Sequence, residues 1–354
     1  MSSQISLGLG EGTYCQGCIL RDACGERESP RACQPLFGEA RYGGVNVVHP
    51  ARHDFAEHFA EIGGPRFEDI RAVPVELPLL PLTIPRVYPR REFDGELHGR
   101  FYALGADEAI IARRQVLGAD EMREMTGLWS DQGLALMLYG KDLHLERIWP
   151  RRHQIVGEIA ECGYDFVAPP SYSALINHPP SEALRNLKRS LHFFELLQEA
   201  GVPTAPRLAW LSKHDARRSA RWCEENPAVK LVTLDLAIKH GAEWRRQLEL
   251  LRFFDLLTGQ RLRYLIHGPQ AEGRLLALFT FLGDRTHLSG SRAISKPRAS
   301  AQEYVRFTQE EEAIAYRALF RASSINIDRT IAEAVLSSGG APIATEREGQ
   351  LAAA

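Results

Sequence analysis

Six times between Leu134 and Ala322, a short apolar run is followed by a stretch whose apolar residues recur at helical spacing. The pairs are Leu134–Tyr139 with Arg151–Cys162, Tyr164–Ala168 with Ser181–Ala200, Pro203–Leu211 with Lys213–Glu225, Val229–Asp235 with Ala242–Leu257, Leu262–Ile266 with Ala271–Phe281, and Thr286–Ser289 with Gln302–Ala322. A strand that is apolar throughout, rather than at alternate positions, is covered on both faces, which is the situation of a parallel sheet flanked by helices. The stretch from Ser181 shows how strong the helical pattern is. Pro179-Pro180 interrupts what precedes it, Ser181 is placed to cap the first free N–H groups, Leu184, Leu187, Leu191 and Leu197 form one stripe, and Gly201 ends it. Two earlier strand candidates, Val45–Val48 and Phe101–Ala103, bring the count to eight. The spacing therefore predicts an α/β chain folded as a (β/α)8, TIM-like barrel over residues 43–330. An open doubly wound sheet is the alternative, and no G-x-G-x-x-G follows any of the strands.

The N-terminal residues 1–42 have a different character. Four of the six cysteines, Cys15, Cys18, Cys24 and Cys33, stand there with the spacing C-x2-C-x5-C-x8-C. Four thiolates on one short loop can close a tetrahedral zinc site or hold the corners of an iron–sulfur cube, so this segment is expected to fold around a metal. A second C-x2-C pair, which would favour zinc, is absent, and Pro35 follows the last cysteine closely, which tilts the expectation toward a [4Fe–4S] cluster. The C-x3-C-x2-C triplet of radical chemistry is missing. The site serves either as a folding staple or as a direct participant. Cys162 and Cys223 stand alone in helical patterns and read as buried small hydrophobes.

Composition limits the classes available. The formal charge of −2 over 354 residues gives no global bias toward an acidic partner, so any nucleic-acid surface must be a local patch. No apolar run approaches a membrane span, and the first twelve residues lack the charged and apolar regions of a signal peptide, which together predict a cytoplasmic protein. Clustered cysteines in a reducing compartment favour metal over disulfides. Residues 73–87 carry four prolines and are expected to lie as an extended segment on an apolar surface, not as a central strand. Residues 331–354 are small and polar and read as a loose tail.

In a barrel the chemistry sits at the carboxyl ends of the strands. Asp142 follows Leu138-Tyr139-Gly140-Lys141, Asp235 ends an otherwise apolar strand, and His267 ends another with Gly268 behind it. These three are the catalytic candidates, as carboxylates able to act as nucleophile or acid–base and an imidazole able to move a proton. The bland readings are a helix cap for Asp142, a salt bridge to Lys230 or Lys239 for Asp235, and a hydrogen-bonded structural histidine for His267. Ser171, Tyr172, Trp210 and Gly268 are the corresponding substrate-binding candidates. Arginines and lysines recurring on the helices, among them Arg185, Lys188, Arg189 and Arg218, read mostly as solvated outer faces. Ser289 through Arg298 differs: Ser291, Arg292 and Lys296 lie in a loop of small and cationic residues, the composition a phosphate-binding loop uses.

The run Tyr264-Leu-Ile-His-Gly-Pro-Gln-Ala-Glu-Gly-Arg-Leu-Leu276, followed by Gly283-Asp-Arg-Thr-His-Leu-Ser-Gly-Ser-Arg292, resembles the late barrel of the tRNA-guanine transglycosylase superfamily. That superfamily includes deazapurine DNA-modification enzymes. The resemblance spans about the last 150 residues at the level of pattern. It implies base exchange at a purine nucleotide in DNA or RNA, with Asp142 and Asp235 as acid–base and nucleophile, and Ser171 or Tyr172 with Trp210 around the base. The superfamily's Asp-Ser-Gly motif is missing, Gly140-Lys141-Asp142 being nearest in position, and its zinc site lies near the C-terminus whereas these cysteines are N-terminal. Two other classes stay open. One is an iron–sulfur or zinc-dependent barrel enzyme acting on a small molecule. The other is a non-catalytic nucleic-acid-binding protein.

Overall fold

The computed structural model describes residues 41–42, 45–46, 55–89, 100–111, 115–174, 180–237, 241–268, 271–289 and 309–326. The four cysteines at 15–33, the loop with Ser291, Arg292 and Lys296, and the tail 331–354 lie outside these residues. A short antiparallel hairpin, β1 (Arg41–Tyr42) and β2 (Val45–Asn46), comes first. All later strand pairing is parallel. Strands β4 (Phe101–Gly105), β5 (Gly133–Met137) and β6 (Phe166–Ala168) form one sheet in that order. Strands β3 (Thr83–Ile84), β9 (Thr286–Ser289), β8 (Arg263–His267) and β7 (Leu231–Asp235) form the other. Single parallel bridges link them: Arg86 with Ala103, Val167 with Thr204, and Arg207 with Thr233. The chain is thus an α/β protein with parallel sheets.

The alternation of strand and helix follows the sequence closely. Helices run over Arg152–Glu161, Pro180–Glu199, Lys213–Glu225, Gly241–Leu257 and Glu272–Leu282, and a further helix covers 309–326. The helix expected from Ser181 begins one residue earlier, with a proline at its first position, where no N–H is needed. Its Leu184, Leu187, Leu191 and Leu197 stripe is buried, and Gly201 leaves it at φ +74°. The helix Lys213–Glu225 opens on a reciprocal cap, with Ser212 accepting from the Asp215 N–H and Asp215 accepting in return. Among the described residues no helix is long and apolar enough to cross a membrane.

Two sequence expectations need correction. Among the described residues Val45–Asn46 pairs only within its hairpin, and the place expected for it in the parallel set is taken by Thr83–Ile84, inside the proline-rich stretch. That segment is paired on both sides: the Leu288 N–H donates to Leu82 O, and Ala103 exchanges bonds with Pro85 O and the Val87 N–H. Pro81 and Pro85 are tolerated because they serve through their carbonyls, Pro81 O accepting from His287 Nδ1 at 2.8 Å. The second correction concerns charge. Arg185, Lys188, Arg189 and Arg218, read as solvated, are all buried. Three of them have identified partners: Arg218 binds Glu68 through two nitrogens, Lys188 donates to Arg66 O, and Arg189 meets Glu146.

Each strand divides its residues between two environments. Ile84, Phe101, Ala103, Ala135, Met137, Phe166, Ala168, Ala205, Leu231 and Leu265 pack together on one side of the sheets. Their neighbours, such as Leu104, Leu136, Val167, Leu234 and Ile266, pack under the helices. Both faces are dry, which is why the strands read as unbroken apolar runs. Cys223 is fully buried as expected, and the Cys162 thiol points at Val116 O.

Candidate functional site

Along β7, Asp235 follows Leu231 at an interval of four, so it shares the inward side with that apolar cluster. His267 is its register partner on β8, and Ser289 is the partner of His267 on β9. Period-two geometry therefore brings three polar side chains together at the carboxyl ends of adjacent strands. Arg207, two residues beyond the inward Ala205, comes to the same end from the neighbouring segment.

Asp235 is the centre of the cluster. Its Oδ2 accepts from Ser171 Oγ at 2.8 Å, and its Oδ1 accepts from the Ala237 N–H at 3.1 Å. Burial pushes its carboxyl up, but a protonated His267, the Arg207 guanidinium and these two hydrogen bonds outweigh burial and hold it below the usual carboxylate range. Burial in turn lowers His267, so at neutral pH its ring is uncharged and Arg207 supplies the persistent attraction. The counter-charge is thus Arg207 and not Lys230, while Lys239 lies outside the described residues. His267 Nδ1 lies 3.2 Å from Ser289 Oγ, and the ring stands edge-on to Tyr139 at 5.1 Å. Burial keeps the Tyr139 hydroxyl protonated.

Behind His267, Gly268 has φ +109°, and a Cβ there would lie 2.2 Å from the Ala237 Cα. The close approach expected of this glycine is therefore made to the Ala237 backbone that supports Asp235. Both loops are locked by one missing side chain.

A pocket opens beside Asp235, lined among others by Ser171, Ser173, Arg207, Trp210, Gln247 and Leu251. Trp210 is packed on Phe254, with ring centroids 4.5 Å apart, and its carbonyl accepts from Gln247 Nε2. Tyr172, the neighbour of Ser171, turns the other way: its ring is buried against Trp149 with the Arg189 guanidinium 3.8 Å above it, and burial pushes its hydroxyl up to about 12. Its part is to fix the loop. Helix Pro180–Glu199 clamps that loop with Ser190 Oγ on Pro170 O and Asn186 Nδ2 on Ser173 O, both at 2.8 Å, so Ser171 is held in place.

Asp142 starts the short helix Asp142–Ile148, where Lys141 is the cap residue, and its Oδ1 accepts from the Ser173 N–H at 3.3 Å. It also adds to the field on Arg207. The structure accordingly brings Asp142, Ser171, Trp210, Asp235 and His267 to one end of the sheets. Sequence reasoning missed Arg207, a lone cation in an apolar run, and it missed two neighbouring pairs. Arg86 is bound to Glu108, and His144 Nδ1 is 2.8 Å from Asp107 Oδ1. The chain order gave no signal for either. Among the described residues no group of three or more His, Cys, Asp or Glu side chains is placed to hold a metal.

No protein-family model matches the sequence, and no curated protein matches it significantly. A crystal structure of a candidate dihydrodipicolinate synthetase from Pseudomonas aeruginosa is similar at a TM-score of 0.37 and 14% identity, over 77% of this chain and 93% of that one. At that level the likeness says nothing about what the chain does.

Proposed function

We propose that this chain is a closed (β/α)8-barrel enzyme that exchanges the base of a purine nucleotide in DNA or RNA, with Asp235 as the attacking carboxylate. One observation carries the reading: a half-buried carboxylate held ionised at the carboxyl ends of the strands, beside a pocket and a second carboxylate, Asp142. Closure is supported by the order of parallel pairings, which passes from Thr83–Ile84 through each later strand and returns from Thr286–Ser289 to the start.

In this reading an Asp235 oxygen bonds to the anomeric carbon as the carbon–nitrogen bond to the old base breaks, and Asp142 gives the leaving base its proton. The incoming base returns a proton to Asp142, and its nitrogen displaces the carboxylate. Ser171 aligns Asp235, Trp210 walls the base, and the loop with Ser291, Arg292 and Lys296 meets the phosphates. Cys15, Cys18, Cys24 and Cys33 provide the four thiolates for a [4Fe–4S] cluster or a zinc ion that staples the N-terminal segment. No step above runs through it.

The test is incorporation of labelled guanine into DNA or RNA by the full chain. Asp235→Asn and Asp142→Asn should lose incorporation while keeping the wild-type circular dichroism spectrum. Full activity in both sinks the assignment. A small-molecule substrate is the second reading. It is favoured by the pocket's walls, where Trp210, Leu234, Leu236 and Leu251 leave a small polar opening. Turnover without nucleic acid would establish it.

A further inference from the structure

Arg207 is buried, 4% exposed, and its Nε and Nη1 have no hydrogen-bond partner. Asp235, whose charge acts on Arg207, makes its hydrogen bonds to Ser171 and the Ala237 N–H and none to these two nitrogens. Gln247, on the same wall, has its Nε2 committed to Trp210 O. A guanidinium cannot be deprotonated in a protein, so a buried one with idle donors is a standing cost unless a ligand meets them. The donors belong to a side chain that lines the pocket, with the hydroxyl-bearing Ser171 and Ser173 beside it.

We infer that Arg207 is the recognition residue for a carboxylate on the small molecule that enters this pocket. The charge balance selects a single negative charge. Arg207 is the one cation among the described pocket-lining residues, and Asp235 already presents an anion in the same wall. With Arg207 and Asp235 cancelling in that wall, a carboxylate leaves one negative charge unbalanced and a dianion such as phosphate leaves two, so the carboxylate is the better match for one guanidinium. Apolar side chains of Leu234 and Leu251 then face the rest of the ligand. The inference rests on reading this pocket as the substrate site, whichever bond is made there.

The probes are acetate, benzoate, phosphate and chloride as sodium salts at equal ionic strength and pH 7.5, with the full chain in a thermal-shift titration. Acetate and benzoate are expected to raise the melting temperature over chloride with saturation, and benzoate at lower concentration. Arg207→Lys keeps the charge without the planar fork and should weaken the half-saturating concentration at least tenfold. Arg207→Met should abolish the response. If Arg207→Met does not fold, the wild type and Arg207→Lys decide the matter alone. No carboxylate response in the wild type, an equal response in Arg207→Lys, or a stronger response to phosphate overturns the inference. Incorporation of labelled guanine by the wild type, assayed in parallel, separates it from the reaction proposed above. An Arg207-dependent response without any base exchange would sink only base exchange.

Discussion

Replacing Glu146 by glutamine should be among the most damaging single-atom-scale changes in this chain, although Glu146 lies outside the pocket. Its two oxygens accept from Arg189 Nη1 at 2.7 Å and Nη2 at 2.9 Å, and the Arg189 side chain is 0% exposed. Glutamine keeps the shape and one accepting oxygen but removes the charge, leaving a buried guanidinium with that oxygen and Asn186 Oδ1 at 3.3 Å. Stranding a buried charge in this way costs about 3–5 kcal/mol. Glu146→Leu combined with Arg189→Met removes both charges and keeps apolar volume. It loses the guanidinium stacked on Tyr172 and Trp149, worth about 2 kcal/mol each when desolvated, against about 1–4 kcal/mol regained by removing a buried ion pair, so it should return to within about 3 kcal/mol of wild type. Urea unfolding with an unchanged slope measures both. The same variant should lower activity, since Tyr172 under Arg189 fixes the loop that carries Ser171. A single variant within about 1 kcal/mol of wild type, or a double variant no better than the single, would refute this account of the pair.

Three further outcomes are expected. Burial lowers the folded-state pKa of His267 and His287 below their ordinary 6.5, so the unfolded chain takes up protons first on acidification. Their contribution is fully present above about pH 6.5 and is lost as pH falls toward the folded values, which a melting-temperature series should record and His287→Gln should flatten. Gly268→Ala forces a Cβ against the Ala237 backbone at a positive φ and should cost at least about 2 kcal/mol, with a loss of activity larger than the loss of folded protein explains. Anaerobic purification should yield either iron with sulfide and visible absorbance or one equivalent of zinc, and the metal should be lost in Cys15→Ser with Cys18→Ser; full metal content in that variant places the site elsewhere.

The repeated strand–helix pairs were legible because burial on both strand faces leaves an unbroken apolar run, and because Pro180, Ser212 and Gly201 mark helix ends by their own backbone chemistry. Thr83–Ile84 was not, since four prolines remove donors, and nothing in the sequence reveals that their carbonyls together with the Val87 N–H would suffice. At the site, Asp235 and His267 were legible as polar residues closing apolar strands. Ser171 and Tyr172 were chosen together, yet adjacent residues point oppositely, one to Asp235 and the other beneath Arg189. Arg207 stayed hidden because a single arginine inside Pro203–Leu211 looks like an edge or a solvated position until pairing shows that both sides are covered. The buried Lys188 and Arg189 of helix Pro180–Glu199 were missed for a related reason: their partners, the Arg66 carbonyl and Glu146, are remote in sequence.

The pairing of Thr83–Ile84 with Thr286–Ser289 also has a kinetic consequence. The His287 side chain bonds to Pro81 across 206 positions, whereas β5 with β6, β7 with β8 and β8 with β9 are each joined by a short strand–helix connection. Closing so long a loop costs roughly 1.6 kcal/mol more than closing one of about 30 residues. The two ends of the parallel set therefore meet late in folding, after the local units have formed, and until then β9 and the segment before Arg86 each expose an open edge. A circular permutant that joins these two segments through a short linker should refold faster than the natural chain order.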